Sequence, residues 1–271
     1  MKKYIGIRGH RGSGKISIAY LIANTLEYLF DFNDIGEDFN SLYTSWCNLL
    51  MENEQEAVNN IDTPHVYLES FGDLPKMLTE MLTSIPHEYI YSDYYKDYTF
   101  ISVRTMETKV FNNKEQLDEF LNSQHIWSSD ELINYVDKRG FDENGYEYWM
   151  SLREFILYYA KTTSKYLGKD IWVKLMKMNE LRDDEMQQKY NIFGSGDKYK
   201  LFVDLKASSE ITYVKDRDGF IIKINRPNNV KSKGFDNLQN DDRFDYELNI
   251  EGGLYDLKYK IIEIAKIIKN R

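Results

Sequence analysis

The chain has 271 residues, of which 42% are hydrophobic and 15% aromatic. That is enough apolar material for a packed core, and it excludes wholesale disorder. The formal net charge is −9, which excludes a bulk basic surface for nucleic acid. Phosphate can then be bound only in a local pocket of amides, lysines and arginines. Mean hydropathy is −0.59, and no apolar run approaches the ~20 residues of a membrane span, so no membrane association is expected. Cys47 is the single cysteine, so no intrachain disulfide or cysteine-based zinc site can form. A reducing, cytoplasmic compartment is expected. The apolar run after Met1-Lys2-Lys3 ends at Arg8, too early for a signal peptide.

In chain order, Lys3 to Arg8 reads as a short apolar strand and Ile16 to Phe30 as a helix, with Ile18, Leu21, Ile22, Leu26 and Leu29 near helical spacing. Between them lies Gly9-His10-Arg11-Gly12-Ser13-Gly14-Lys15. A short helix is expected around Leu42 to Met51, a strand at His65 to Leu68, and a helix at Leu74 to Leu82, with Asp73 at its start and Pro75 in its first turn. Residues 86–150 are rich in Tyr, Asp and Asn without a period of two. They read as loops plus helices, including Lys114 to Leu121 and Ser129 to Lys138, with 101–147 as an insertion or lid.

Ser151 to Tyr166 reads as a helix, and Ser151 and Glu154 have the spacing of a capping box. Asp170 to Met178 is a further helix, Tyr199 to Leu205 a strand, Ser209 to Lys215 a short helix, and Gly219 to Asn225 a strand. Tyr246 to Ile250 reads as an edge strand, and Leu254 to Lys269 as a closing amphipathic helix. Strands alternating with helices predict an α/β fold with a mostly parallel sheet flanked by helices, in a single domain over 1–271.

The strongest chemical signal is Gly9-x4-Gly14-Lys15 between a strand and a helix. Glycines let the backbone curl so that N–H groups converge on a phosphate, and the helix start adds its positive dipole end. This is a P-loop context. Gly9, Arg11, Gly12, Ser13, Gly14 and Lys15 are the expected ATP-phosphate contacts, with Lys15 on the β/γ-phosphates. Ile16 stands where the motif normally has Ser or Thr, and Ser17 follows. Many nucleoside monophosphate kinases carry this hydroxyl one place later, and Ser17 resembles that variant as the candidate hydroxyl for ATP and Mg²⁺.

Further segments follow in a set order. They are Ser70-Phe71-Gly72-Asp73-Leu74-Pro75-Lys76; Ser151-Leu152-Arg153-Glu154 with Lys165 and Ile171-Trp172-Val173; Asp204-Leu205-Lys206 with Glu210; Ile224-Asn225-Arg226-Pro227; and Asn249 to Leu254. In this order the chain resembles the phage-type deoxynucleoside monophosphate kinase family, over roughly 1–30, 64–100, 148–178 and 198–268. The resemblance implies a P-loop nucleotide kinase fold with core segments there and helical lid segments at 101–147 or 179–198. It implies Mg²⁺-dependent phosphoryl transfer from ATP to a nucleoside 5′-monophosphate. Lys15, Arg153, Asp204 and Lys206 would be catalytic, and Ser17 and Asp204 would serve the metal. Lys76, Arg153, Lys165, Trp172 and Glu210 would bind the acceptor. The partner is then a small-molecule nucleotide, a homodimer is plausible, and a viral chain would work in the host cytoplasm.

The chain departs from the family pattern at Leu157, Ala160, Lys161 and Thr162, which replace Gln, Gly, Thr and Glu, and at Lys165 and Lys206, which replace Arg. Lysine keeps the charge but loses the planar fork that grips phosphate bidentately. Ile16 stands where the family often has Asp. Two other readings stay open: a weakened or inactive nucleotide-binding or structural protein on a kinase fold, and a P-loop NTPase with a protein partner, for which the tyrosines between Tyr89 and Tyr98 speak. His10, His65, His87 and His125 show no metal-ligand spacing.

Overall fold

The computed structural model describes residues 2–10, 12–141, 147–190, 198–226 and 242–271. In chain order the elements are β1 (Lys2–Gly9), α1 (Lys15–Phe32), α2 (Phe39–Asn59), β2 (Val66–Glu69), α3 (Asp73–Thr83), α4 (His87–Tyr91), α5 (Asp93–Tyr98), β3 (Thr99–Ser102), β4 (Thr108–Val110) and α6 (Lys114–Ser123). They continue with α7 (Ser129–Arg139), β5 (Trp149–Ser151), α8 (Leu152–Leu167), α9 (Ile171–Tyr190), β6 (Lys198–Phe202), α10 (Ser208–Lys215), β7 (Phe220–Asn225), β8 (Tyr246–Asn249) and α11 (Lys258–Lys269). The chain divides into two compact units, Met1–Phe71 with Lys177–Arg271, and Gly72–Met176. The segment expected as an insertion, 101–147, lies within the second.

The first unit is built on a five-stranded sheet in the order β2-β6-β1-β7-β8, and every pairing in it is parallel. The connection from β1 to β2 steps over β6 in one direction. The connection from β6 to β7 steps over β1 in the other. Right-handed crossovers then require their helices to cover opposite faces, and the packing agrees. Ile5 and Ile7 of β1 join one buried cluster with Ile18, Leu21 and Ile22 of α1, Phe39, Tyr43 and Cys47 of α2, and Ile261, Ile264 and Ile268 of α11. On the other face Tyr4 meets Tyr213 of α10 edge-on at 6.2 Å and Phe202 at 6.3 Å, and Phe71 stacks on Phe202 at 5.1 Å. Between Tyr4 and Arg8 on that face stands Gly6, where a Cβ would lie 2.5 Å from Leu205 Cδ1. Glycine is what lets Leu205 close over the strand.

The same face holds a charged group. Lys200 of β6 is 8% exposed, lies 2.7 Å from Glu69 of β2 and 3.3 Å from Glu180 of α9, and Glu180 is 6% exposed. Arg217 approaches the second oxygen of Glu180 at 3.6 Å and lies over the Tyr213 ring. Burial alone would drive the lysine's proton off; the two carboxylates outweigh it and hold the ammonium above its ordinary value.

Several helices exceed their expected lengths, among them α9, which runs to Tyr190 and not to the expected Met178. α1 ends at Asn33, which takes the left-handed region at φ 62° and donates its N–H to Leu29 O; asparagine tolerates that geometry. α2 was expected only over Leu42 to Met51. It runs over Phe39–Asn59, broken at Asn53, where φ is −156° and ψ is 92°. β6 stops at Phe202, short of the expected Leu205. α11 begins at Lys258, after a single 3₁₀ turn at Tyr255–Leu257.

In the second unit the reading of 86–150 as loops and helices needs correction. A three-stranded antiparallel sheet, β4-β3-β5, lies there. Its strands have three or four residues, and all four of β3 are buried, so no polar alternation marks them. β3 and β5 separate two small cores. Phe100 and Trp149 join Leu117 and Phe120 of α6. Ile101 and Met150 join Leu132 of α7 and Leu152 and Phe155 of α8. α7 starts with a capping box, Ser128 and Glu131 each accepting the other's backbone N–H. The box expected at Ser151 is half made. Ser151 Oγ accepts the Glu154 N–H at 3.3 Å, but the Glu154 carboxylate accepts from the Ser129 N–H at 2.6 Å. Among the described residues no helix is long and apolar enough to cross a membrane.

Replacing Lys200 by Met leaves Glu69 and Glu180 without their ammonium. The expected loss is about 3–5 kcal/mol, as for a buried pair broken from one side. Urea unfolding followed by circular dichroism measures it, and a loss below about 1 kcal/mol would contradict the ion-pair account. Cys47 is fully buried, and burial pushes its thiol up to about 11. It should resist alkylation in native buffer and react once urea unfolds the first unit; rapid labelling of native protein would refute its placement.

Candidate nucleotide phosphate site

The first unit's sheet reverses its strand order around β1 and β6. In open parallel sheets the crevice at the carboxyl ends of the strands beside such a reversal is where ligands bind. Two loops leave from that place: 9–15 after β1, and 203–207 after β6.

The first loop turns tightly. Ser13 donates its N–H to His10 O at 3.1 Å. A Cβ on Gly9 would lie 2.7 Å from Ser13 Oγ and 3.0 Å from Ile224 O, so the loop packs against β7 only because residue 9 has no side chain. Gly14, at φ 83°, is the residue before α1 and offers no capping side chain. The first N–H groups of α1 therefore lack an intrahelical or side-chain acceptor, the arrangement that attracts an anion. Ser13 is 1% exposed, and its hydroxyl has no hydrogen-bond partner among the described residues. Arg11, expected among the phosphate contacts, lies outside the described residues.

Lys15 reaches back across the loop. Its Nζ donates to Gly9 O at 2.8 Å and to His10 O at 2.7 Å, and lies 3.3 Å from Asp204 Oδ1. Asp204 sits just beyond β6, and backbone bonds hold its neighbours in line. Val203 N–H donates to Glu69 O and Leu205 N–H to Ile7 O, each at 2.8 Å. Asp204 itself takes φ 72°, a region aspartate enters more readily than most residues. Its second oxygen lies 2.8 Å from Lys206 Nζ. Burial pushes this carboxyl up, but the Lys206 and Lys15 ammoniums beside it prevail and hold it below the ordinary carboxylate range. It is an anion at neutral pH.

Glu210, expected to position an acceptor, accepts from the backbone N–H groups of Lys206 at 2.6 Å and Ala207 at 3.1 Å. Burial raises its pKa. Its carboxylate closes the start of its own helix. Ser17 is 9% exposed, and its hydroxyl donates to the Glu54 carboxylate on α2. Ile16 is 44% exposed and offers no oxygen. Mg²⁺ keeps most of its waters and takes one or two carboxylates with substrate phosphates. Asp204, ionised and partly exposed, fits that role. The Ser17 oxygen fits as well, because its proton is directed to Glu54 and its lone pairs remain.

Two residues here escaped sequence reasoning. Arg8 is 6% exposed at the carboxyl end of β1, on the face of Tyr4 and Gly6; a charged residue closing an apolar strand directly before the glycine loop was the available signal. Glu54 carried none, being far from the loop in sequence.

The remaining expected residues belong to the second unit, each with a partner there. Lys76 Nζ lies 2.9 Å from Asp73 and over the Tyr91 ring at 4.6 Å. The Arg153 guanidinium grips Asp97 through Nε at 2.9 Å and Nη2 at 3.4 Å. Lys165 pairs with Asp137, whose hydrogen bond raises the lysine's pKa. Trp172 Nε1 donates to Ser164 Oγ at 2.9 Å. Of the expected Arg226-Pro227 pair, Pro227 lies outside the described residues. Asn225, at the end of β7, donates to Asn249 at 3.2 Å.

The site residues that the structure brings together are thus Gly9, Ser13, Gly14, Lys15, Asp204 and Lys206. Compared with known proteins, the chain matches no family model and no curated sequence.

A depressed carboxyl stabilises the fold above its unfolded value and loses that contribution as pH falls through its folded value. Asp204→Asn keeps the left-handed backbone accessible and removes the charge. The stability difference between the two proteins should be constant above about pH 5 and shrink as pH falls below the ordinary aspartate value of about 3.9. Urea midpoints across that range test it; a difference independent of pH would show that the Asp204 charge adds nothing.

Proposed function

We propose that the chain binds ATP at the 9–15 loop and transfers its γ-phosphoryl group to a (deoxy)nucleoside 5′-monophosphate, with Mg²⁺. One observation carries this reading: the Lys15 ammonium, laid across the glycine loop at the carboxyl end of β1, meets the ionised Asp204 at the carboxyl end of β6. Cation, carboxylate and open helix N–H groups near one another are the parts that phosphoryl transfer uses, which supports the reading.

The protein's work in such a reaction is positioning and charge neutralisation. Lys15 and the amides of Gly14 to Ser17 would hold the donor phosphates. Lys206, already beside Asp204, would neutralise the transferring oxygens. Mg²⁺, when bound, would offset charge on the β- and γ-oxygens, with Asp204 and Ser17 as its protein-side oxygens. Arg153, Lys165 and Lys76 are the cations for an acceptor, and Trp172 its aromatic neighbour. An oxygen anion of the acceptor's 5′-phosphate would attack the γ-phosphorus, the bond from that phosphorus to the β–γ bridging oxygen would break, and ADP would leave with the bridging oxygen.

A second reading has a specific observation behind it. Lys76, Arg153 and Lys165 are each held by an aspartate of their own unit. A nucleotide-binding protein that lacks acceptor chemistry would look the same.

Coupled ADP release from ATP and Mg²⁺, with each common nucleoside monophosphate in turn, separates the readings. Transfer is expected with one or a few acceptors. Lys15→Ala should lower it by at least about a hundredfold while leaving the circular dichroism spectrum unchanged. ATP binding without acceptor-dependent release would favour the second reading, and full turnover in Lys15→Ala would remove the site assignment.

A further inference from the structure

We propose that Glu54 is a positioning residue for the divalent cation of the bound nucleotide, acting through Ser17. The proposal rests on the nucleotide reading above and adds to it a residue that no motif contains. It starts from α1's first turn. Of the residues Gly14 to Ile18, only Ser17 carries a side-chain oxygen, and that hydroxyl is 9% exposed and donates to the Glu54 carboxylate.

A hydroxyl has one proton and two lone pairs. Committing the proton to a carboxylate fixes the rotor, leaves the lone pairs for a cation and draws electron density onto the oxygen. Hard divalent cations select such oxygens. Groups that hydrogen-bond a metal ligand from behind tune its affinity about as strongly as weak ligands do, typically ~10–100-fold on removal. Glu54 also brings a negative charge to a turn where position 16 has none.

α2 is shaped to deliver that carboxylate. Its helix breaks at Asn53 and restarts at once: Asn53 Oδ1 accepts the Glu56 N–H at 3.2 Å, and Asn53 Nδ2 donates to Glu56 Oε2 at 3.1 Å. Glu54 is the first residue of the restarted segment, so the break sets its direction. A helix running straight through residue 53 would send position 54 elsewhere. The break lies in an exposed stretch, Glu52 to Glu56.

The test uses the full chain, Mn²⁺ as the metal probe read by electron paramagnetic resonance, and ATP. Glu54→Gln keeps an acceptor for the Ser17 proton and removes the charge; Ser17→Ala removes the ligand oxygen. In Glu54→Gln the Mn²⁺ affinity measured with ATP should fall ~10–100-fold. ATP affinity in EDTA and the melting temperature should stay at wild-type values. Ser17→Ala should show the same loss, the double variant no more than either alone, and Glu54→Asp should recover part of it. Unchanged Mn²⁺ affinity in Glu54→Gln would overturn the proposal. So would a loss of metal-free ATP binding and melting temperature equal to the loss of metal, which would mark a mere tie between α1 and α2. The nucleotide reading fails separately, if Lys15→Ala binds ATP in EDTA as well as the wild type does.

Discussion

The contact between Lys15 and Asp204 is the constraint around which the first unit is arranged. A lysine that follows a glycine loop must send its ammonium somewhere, and the loop's curl turns two carbonyls, Gly9 O and His10 O, toward it. Those carbonyls are neutral and the lysine is only 10% exposed, so a counter-charge is needed in a place of reduced dielectric. Asp204 supplies it from another strand. For that, β6 must lie directly beside β1, must run parallel to it, and must stop before its aspartate. The strand order meets the first two requirements and the backbone bonds of Val203 and Leu205 the third. Gly6, where Leu205 approaches too closely for any Cβ, is a consequence of the same adjacency.

Charge in the second unit follows another rule. The chain is strongly acidic, and its cations there find aspartates nearby: Lys76 with Asp73, Arg153 with Asp97, Lys161 with Asp130, Lys165 with Asp137. Exposed pairs of this kind are worth about 0–1 kcal/mol each. The pairing therefore holds these side chains in defined directions without locking them. The buried group around Lys200 and Glu180 is of the opposite kind, since its charges have no water to return to.

Much of the chain's local structure was legible in sequence because its signals are local. The glycine loop, the helical spacing after it and the apolar strand leading to it are contained within thirty residues. The helix expected at Ser129 to Lys138 is found as α7. β7 and the closing helix were found within one or two residues at most ends. The losses came where the deciding interaction is remote. The Glu154 carboxylate completes a cap in the motif's own logic, yet it serves the Ser129 N–H instead, because α7 packs beside α8. β3 carries no alternation because both of its faces are covered, one by α6 and the other by α7 and α8. Glu210 was read as facing a ligand; its spacing fits a helix cap equally well, and only its bonds to the Lys206 and Ala207 N–H groups decide between them.

By itself, the sequence determined that strands alternate with helices, that a glycine-rich loop joins the first strand to the first helix, and that the chain carries a single cysteine. These follow from periodicity, glycine content and composition, properties of short windows. Only the tertiary structure decided that Asp204, which the resemblance had singled out, stands against Lys15, that Ser17 turns toward Glu54, and that the candidate acceptor cations rest on aspartates. The reason is physical. Coulomb energy and hydrogen bonding depend on distance in space, and the distance between residues far apart in the chain is set by strand order and helix packing.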